Sequence, residues 1–185
     1  MRYSKDYKLE GYVGDPLWDC ELWLFVDADF CGEILHTKST SGCWLVLTGP
    51  NTSFPIAWCG GKQGSTARST TEAELISLAM GFFKVSLPIL DLFDFILKSL
   101  GKPPMHIRIF EDNQSTIKVM SNGWSVNLCS SGRVHKVNIG SLHDQFFGKP
   151  EKDRYAHIGY CTTNDQRADI FTKALEPQKL SLIHI

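Results

Sequence analysis

Between Leu22 and Asp29 the chain alternates without leaving either face polar. Trp23, Phe25, Asp27 and Asp29 share one face, and Leu22, Leu24, Val26 and Ala28 share the other. That period of two predicts a strand covered on both sides, with Asp27 and Asp29 as polar intrusions on a mostly buried face. Residues 42–48 and 55–59 are two further strands, separated by the turn signal Gly49-Pro50-Asn51. Three strands with short connections predict an antiparallel meander.

The period then changes. Ser69 and Thr71 each have a glutamate three residues on, Glu72 and Glu74, which is the spacing of a helix-opening capping box. The helix that follows aligns Leu75, Leu78, Ala79 and Phe82 along one stripe. Pro88 is expected to break it, and a second helix to run over 89–100 until Gly101-Lys102-Pro103-Pro104 ends it. Residues 105–111 form a short strand, and Asn113 or Ser115 opens a helix to about Met120. Residues 121–133 are loop-like, 134–147 a weaker helix containing Gly140, and 155–160 a strand. Asn164 or Asp165 caps a last helix through Ala168, Ile170, Phe171 and Leu175. The order βββ-αα-β-α-(α)-β-α predicts a mixed α/β sheet with helices on its faces.

Length and composition set bounds on this picture. The 185 residues suit one domain with a sizeable core, at 43% hydrophobic and 21% charged residues. The net charge of −1 supplies no global basic field, so any nucleic-acid contact must be local. Cys20, Cys31, Cys43, Cys59, Cys129 and Cys161 contain no CxxC pair and read as reduced thiols, neither zinc ligands nor a disulfide framework. The polar opening residues 1–9 do not read as a signal peptide. The apolar stretch 82–97 is interrupted by Lys84, Pro88, Asp91 and Asp94, which argues for buried helices and against a membrane span. These features predict an intracellular protein, cytoplasmic or nuclear, without fixing the compartment.

Candidate chemistry lies in four acidic motifs, each where an apolar segment ends or a helix begins. They are Phe25-Val26-Asp27-Ala28-Asp29, Thr71-Glu72-Ala73-Glu74-Leu75, Phe110-Glu111-Asp112-Asn113-Gln114 and Arg167-Ala168-Asp169-Ile170-Phe171. Carboxylates gathered at one point with few compensating cations repel one another unless a hard divalent cation neutralises them. A magnesium-type site is therefore the leading expectation, with phosphate-ester hydrolysis its natural use. Glu72 and Glu74 differ by about 200° around a helix, so they do not both face one site. Glu72 suits the capping role. Glu111 and Asp112 are likewise alternatives, because neighbours on a strand point oppositely. Asp112 and Asp169 also have structural readings, as an N-cap and as a first-turn acid.

The motifs and their order resemble the ribonuclease H domain of Ty1/copia-type LTR retrotransposon polyproteins. The matching stretches run colinearly over about residues 20–176: Val26-Asp27-Ala28-Asp29-Phe30-Cys31-Gly32, Lys38-Ser39-Thr40-Ser41-Gly42, Ile56-Ala57-Trp58, Ser69-Thr70-Thr71-Glu72-Ala73-Glu74, Glu111-Asp112-Asn113-Gln114-Ser115 and Ala168-Asp169-Ile170-Phe171-Thr172-Lys173-Ala174-Leu175. The resemblance implies a lead-in at 1–20 like the connection after reverse transcriptase, a ribonuclease H-like domain at 21–176 and a tail at 177–185. It implies a five-stranded mixed sheet whose first three strands are antiparallel. It further implies cleavage of the RNA strand of RNA–DNA hybrids by two magnesium or manganese ions. The acids carried over onto this sequence are Asp27, Glu74, Asp112 and Asp169, with reverse transcriptase as a partner in cis.

Around them, Arg68, Ser69, Thr70 and Lys173 are candidate phosphate contacts, and Asn113 and Gln114 candidate contacts to sugar or bases. Two departures stand out. The loop 161–166 has no histidine, and the run His135-Lys136-Val137-Asn138-Ile139-Gly140-Ser141-Leu142 replaces the family's Asp, Arg and last His with Asn138, Gly140 and Leu142. A glycine within that helix is expected to weaken it by about 0.5–1 kcal/mol. The erosion motivates a second reading, a catalytically silent module that packs into a larger assembly through the apolar segment 82–97. A third is a different nuclease of the same fold, disfavoured by the Asp-Asn-Gln and Ala-Asp-Ile-Phe-Thr-Lys motifs.

Overall fold

The computed structural model describes residues 10–32, 37–173 and 175. Residues 1–9 of the lead-in and the whole tail at 177–185 lie outside the described residues. Strands β1 (Glu21–Asp29), β2 (Thr40–Gly49) and β3 (Thr52–Lys62) form the antiparallel meander. Strands β4 (Ile107–Glu111) and β5 (Ala156–Tyr160) join in parallel, giving a five-stranded sheet in the order β3-β2-β1-β4-β5. Ribonuclease H-like topology is what the sequence resemblance implied, and the sheet has it. From the lead-in, Tyr12 bridges to Ser53 on β3.

The alternation along β1 sorts the two faces. Leu22, Leu24 and Val26 pack into the main core with Cys43, Leu45, Leu75, Leu78 and Phe82. Phe25, with Trp23 against it, joins Trp44, Val46 and Ala168 in a smaller aromatic layer on the opposite face. Val26 stands opposite Cys43, and those two thiols of Cys43 and Cys59 approach to 2.7 Å across the β2–β3 pair with no disulfide.

Helix α1 (Thr70–Ala79), a π segment (Met80–Ser86) and α2 (Leu87–Ser99) form one continuous helix across the main-core face. The expected break at Pro88 does not occur. Pro88 is the second residue of α2, and the wide π turn before it delivers the proline where a missing amide costs least. The Ser86 hydroxyl donates to the Gly81 carbonyl at 3.0 Å, satisfying an acceptor inside the widened turn. Gly81 lets this segment lie close on the sheet, since a Cβ there would stand 2.9 Å from Val26 Cγ1. By length and composition the span Thr70–Ser99 is apolar enough to cross a bilayer, a criterion that a core helix also meets. Here Leu75, Leu78, Phe82, Leu90 and Leu97 are buried in the protein core.

Helix α3 (Gln114–Asn122) starts from Asn113, whose side chain accepts from the Ser115 and Thr116 amides, and ends at Gly123 with φ 74°. A short turn α4 (Ser131–Val134) and helix α5 (Ile139–Phe147) follow. The supposed erosion of this last helix is revised. Asn138 is its N-cap, accepting from the Ser141 amide at 3.1 Å, and Gly140 lies in the first turn. Leu142 is fully buried. Helix α6 (Asp169–Thr172) is a single turn that begins later than expected, because Asp165 is held in a preceding turn by the Thr162 hydroxyl.

Gly42 seats α6 against the sheet: a Cβ there would stand 2.7 Å from Thr172 Cγ2 and 3.0 Å from the Ala168 carbonyl oxygen. Gly42→Val is expected to destabilise the protein by about 1–3 kcal/mol through overpacking. Chemical denaturation checks this, and a change within error of zero would mean that α6 does not depend on that contact.

Candidate active site

The register places the acids. Phe25 on β1 pairs with Phe110 on β4, their rings stacked at 4.8 Å. Asp27 and Asp112 each follow two residues later on the same pleat, at the carboxyl ends of parallel neighbours where open α/β sheets form their crevices. Helix α1 is pinned beside them because the Ser77 hydroxyl sits 2.7 Å from the Asp27 carbonyl oxygen and 3.1 Å from that of Gly42. This sets Glu74, one turn earlier, over the end of β1. One carboxylate oxygen from each of Asp27, Glu74 and Asp112 lies within 4.8 Å of the others. Asp112 also accepts from the Thr163 hydroxyl at 3.0 Å. Asn113, not Asp112, caps α3, which leaves the Asp112 carboxylate to the crevice.

Two of the three acids are buried and the third is half-buried. Asp27 is 1% exposed and Glu74 6%, and Glu74 Oε2 has no hydrogen-bond partner. Burial, reinforced by the charges of Glu111, Asp27 and Asp112, pushes the Glu74 carboxyl up to about 10. For Asp27, burial raises the carboxyl, opposed by the Lys173 charge and the Thr172 hydroxyl. An orphaned buried carboxylate oxygen beside two more acids is the donor set of a hard cation, so these residues fit a divalent ion. The sign of the pH effect follows. Because the folded Glu74 carboxyl sits above its unfolded value of about 4.5, its protonated form favours the fold below that value. Stability is therefore lost as pH rises from about 4.5 towards about 10. Metal-free protein is expected to melt at progressively lower temperature across that window, with Glu74→Gln flattening the trend and a divalent ion opposing it.

Asp169 enters differently. It is fully buried, and its Oδ1 is 2.7 Å from the Lys173 ammonium, which also reaches Asp27 Oδ1 at 3.1 Å. The neighbouring Thr172 hydroxyl donates to Asp27 Oδ2. Burial would lower the Lys173 ammonium, but the charges of Asp27 and Asp169 and their hydrogen bonds hold it above its ordinary value.

Glu111, the alternative to Asp112 that strand spacing left open, is buried beneath the cluster. It is 0% exposed, accepts from the Asn113 amide at 3.0 Å through Oε1, and leaves Oε2 without a partner. Burial, then the Asp112 and Asp27 charges, raise its carboxyl well above the usual range. The signal for that burial was available: Ile107, Ile109 and Glu111 share the inward phase of β4. Gln166, unforeseen from the sequence, is buried and holds the loop before α6, donating to the Val26 carbonyl at 2.8 Å.

The remaining candidates divide. Ser69 caps α1, accepting from the Glu72 amide at 3.1 Å, and Asn113 caps α3. Arg68 pairs with Glu72 at 3.3 Å and donates to Ser130. Thr70 and Gln114 are exposed. Asp29 closes on its own turn, its carboxylate lying over Gly32.

Glu72 performs half of the expected capping box one residue early, accepting from the Arg68 amide at 2.8 Å and not from Ser69. It also receives the Ser131 hydroxyl at 2.5 Å and stands 3.5 Å from His135 Nε2, so it ties the 130–135 segment to the start of α1. Burial raises the Glu72 carboxyl, but the Ser131 and Arg68 hydrogen bonds and the Arg68 charge outweigh it and hold it low. Glu72→Ala orphans these donors and is expected to cost about 1–3 kcal/mol. Denaturant titration measures that, and limited proteolysis should show earlier cutting near 130–135.

No protein-family model matches the chain. It is 28% identical over 155 residues, 83% of its length, to the retrovirus-related Pol polyprotein from transposon RE2 of Arabidopsis thaliana. It is 23% identical over 180 residues, 97% of its length, to the Ty1-JR2 Gag-Pol polyprotein of Saccharomyces cerevisiae. These matches cover 10% and 9% of the two polyproteins, so the chain spans about a tenth of the length of these relatives. Among solved structures, ribonuclease H1 of Halobacterium salinarum NRC-1 is 16% identical with a TM-score of 0.47, covering 82% of this chain and 94% of that one.

Proposed function

We propose that this chain, a ribonuclease H-like domain related to Ty1/copia-type retrotransposon polyproteins, is a metal-dependent endonuclease that hydrolyses the RNA strand of RNA–DNA hybrids. The observation that carries the reading is the convergence of Asp27, Glu74 and Asp112 on one point at the carboxyl ends of β1 and β4, with a buried Glu74 oxygen lacking any partner. Magnesium or manganese fits this oxygen set. Such an ion supplies Lewis-acid polarisation of a phosphate oxygen and a water acidified enough to attack phosphorus.

The protein's own groups supply the rest. Asp27 is held rigidly by the Ser77 hydroxyl behind its backbone and by Thr172 and Lys173 on its carboxylate. Thr163 orients Asp112. Attack by water breaks the phosphorus–O3′ bond, leaving a 3′-hydroxyl and a 5′-phosphate. Exposed Gln114 and Thr70 flank the crevice at the starts of α3 and α1, where they can meet sugar or phosphate. The 2′-hydroxyl is the group by which such contacts separate RNA from DNA. Reverse transcriptase in cis is the proposed neighbour, and an intracellular setting is part of the same proposal.

The silent-module reading draws less support. Its apolar segment spends Phe82, Leu90 and Leu97 on the core, leaving Leu92 and Phe95 outward, and the helix taken as eroded is capped. The test is hydrolysis of an end-labelled RNA–DNA hybrid with magnesium, against the same hybrid with chelator and against duplex DNA. Magnesium-dependent cuts confined to the RNA strand are expected. No cleavage under any divalent metal would end the enzyme reading.

A further inference from the structure

We infer that the Lys173 ammonium fills the second cation position of the acidic site, so that the domain holds a single divalent ion between Asp27, Glu74 and Asp112. The inference rests on the metal-site reading above, and it departs from the two ions that the sequence resemblance implies. Asp169 is the acid that would help hold a second ion, yet its Oδ1 is 2.7 Å from Lys173 Nζ, and the same nitrogen is 3.1 Å from Asp27 Oδ1. The ammonium therefore bridges the pair of carboxylates that a second ion would have to bridge.

The bridge starts from a backbone fixed at the end of α6, and its lysine side chain is 36% exposed. The Lys173 amide donates to the Asp169 carbonyl at 2.9 Å, and the residue is the C-cap of the helix in an extended conformation. Aspartate and lysine stand four residues apart, the first opening the single-turn helix and the second capping its end. The helix itself cannot drift from the sheet without opening a gap, because Gly42 and Gly60 bring it into contact: Cβ atoms there would stand 2.7 Å from Thr172 and 3.1 Å from Phe171. Thr172 takes the other oxygen of Asp27, so α6 delivers two successive residues to one carboxylate.

Electrostatics makes the two occupants exclusive. Cation–oxygen distances for magnesium are about 2.0–2.1 Å, so an ion between Asp27 and Asp169 requires the ammonium to leave. Keeping it beside two divalent ions would place like charges within a few ångströms of one another, beside buried carboxylates where repulsion is screened less than in bulk water. One divalent ion with one ammonium compensates the acids without that conflict. Asp169 then acts through Lys173, as a positioning residue and not as a ligand.

The test counts bound Mn2+ by calorimetry and electron paramagnetic resonance, with the protein on a hybrid whose RNA strand is 2′-O-methylated and so resists cleavage. One ion is expected for the wild type and two for Lys173→Met. Asp169→Asn should keep the count at one and weaken binding less than Glu74→Gln, which should lose the ion. Two ions in the wild type, or one in both wild type and Lys173→Met, would overturn the inference while leaving the nuclease reading intact. No ion in the wild type would overturn both. Should Lys173→Met fail to fold, the wild-type count and Asp169→Asn still decide, since loss of the ion in Asp169→Asn would make Asp169 a ligand.

Discussion

Asp27→Asn is expected to lower the rate of hybrid hydrolysis by on the order of a thousandfold while leaving the protein folded. The magnitude follows from what a ligand carboxylate does: metal-ion stabilisation of charge at a phosphate is worth several kcal/mol, and about 1.4 kcal/mol is tenfold in rate. The substitution removes one negative charge from the trio, and asparagine can still accept from Thr172 through its amide oxygen. Folding should survive because Asp27 is disfavoured in its charged form by burial, so a neutral isostere relieves part of that cost while giving up the Lys173 pairing. Initial rates on a labelled hybrid at saturating magnesium, read beside thermal melts, give the answer. Activity within tenfold of wild type would remove Asp27 from the chemistry.

The largest expected effect on stability is at Phe82. Its side chain is fully buried where the π segment crosses the sheet, with ring centroids 4.8 Å from Phe146 and 5.2 Å from Phe83. It joins the helix layer to α5 as well as to the strands, so no single neighbour can collapse into the space it leaves. Phe82→Ala should cost about 3–5 kcal/mol, a large part of the 5–15 kcal/mol that typically holds a domain folded. Chemical denaturation at equilibrium measures it. A loss under about 1 kcal/mol would mean that the site relaxes far more readily than a close-packed interior allows.

These two residues mark what was legible in the chain. The period of two along β1 identified both its faces, and with them the anomaly of an aspartate at position 27. Local chemistry also located the start of α1, where the Ser69 cap and the acids behind it follow short-range rules. Long-range packing was not legible. Pro88 reads as a helix breaker, but the π turn that absorbs it depends on a helix pressed against Val26 and Cys43 through Gly81. Gly140 and Asn138 read as decay within a helix, whereas the helix simply starts at Ile139, making one a cap and the other a first-turn residue.

At the site itself, spacing could not decide between Glu111 and Asp112. The register does: it turns Asp112 to the crevice and buries Glu111 beneath it. Nor did the motif around Asp169 disclose that its lysine folds back onto Asp27, a contact spanning most of the chain.

The central claim is that Asp27, Glu74 and Asp112 hold a divalent cation, and anomalous scattering from crystals containing Mn2+ tests it most directly. The account predicts a peak about 2.0–2.2 Å from one oxygen of each of these three residues, absent from crystals of Glu74→Gln grown in the same way. A peak elsewhere, or none between these carboxylates at saturating Mn2+, would contradict it.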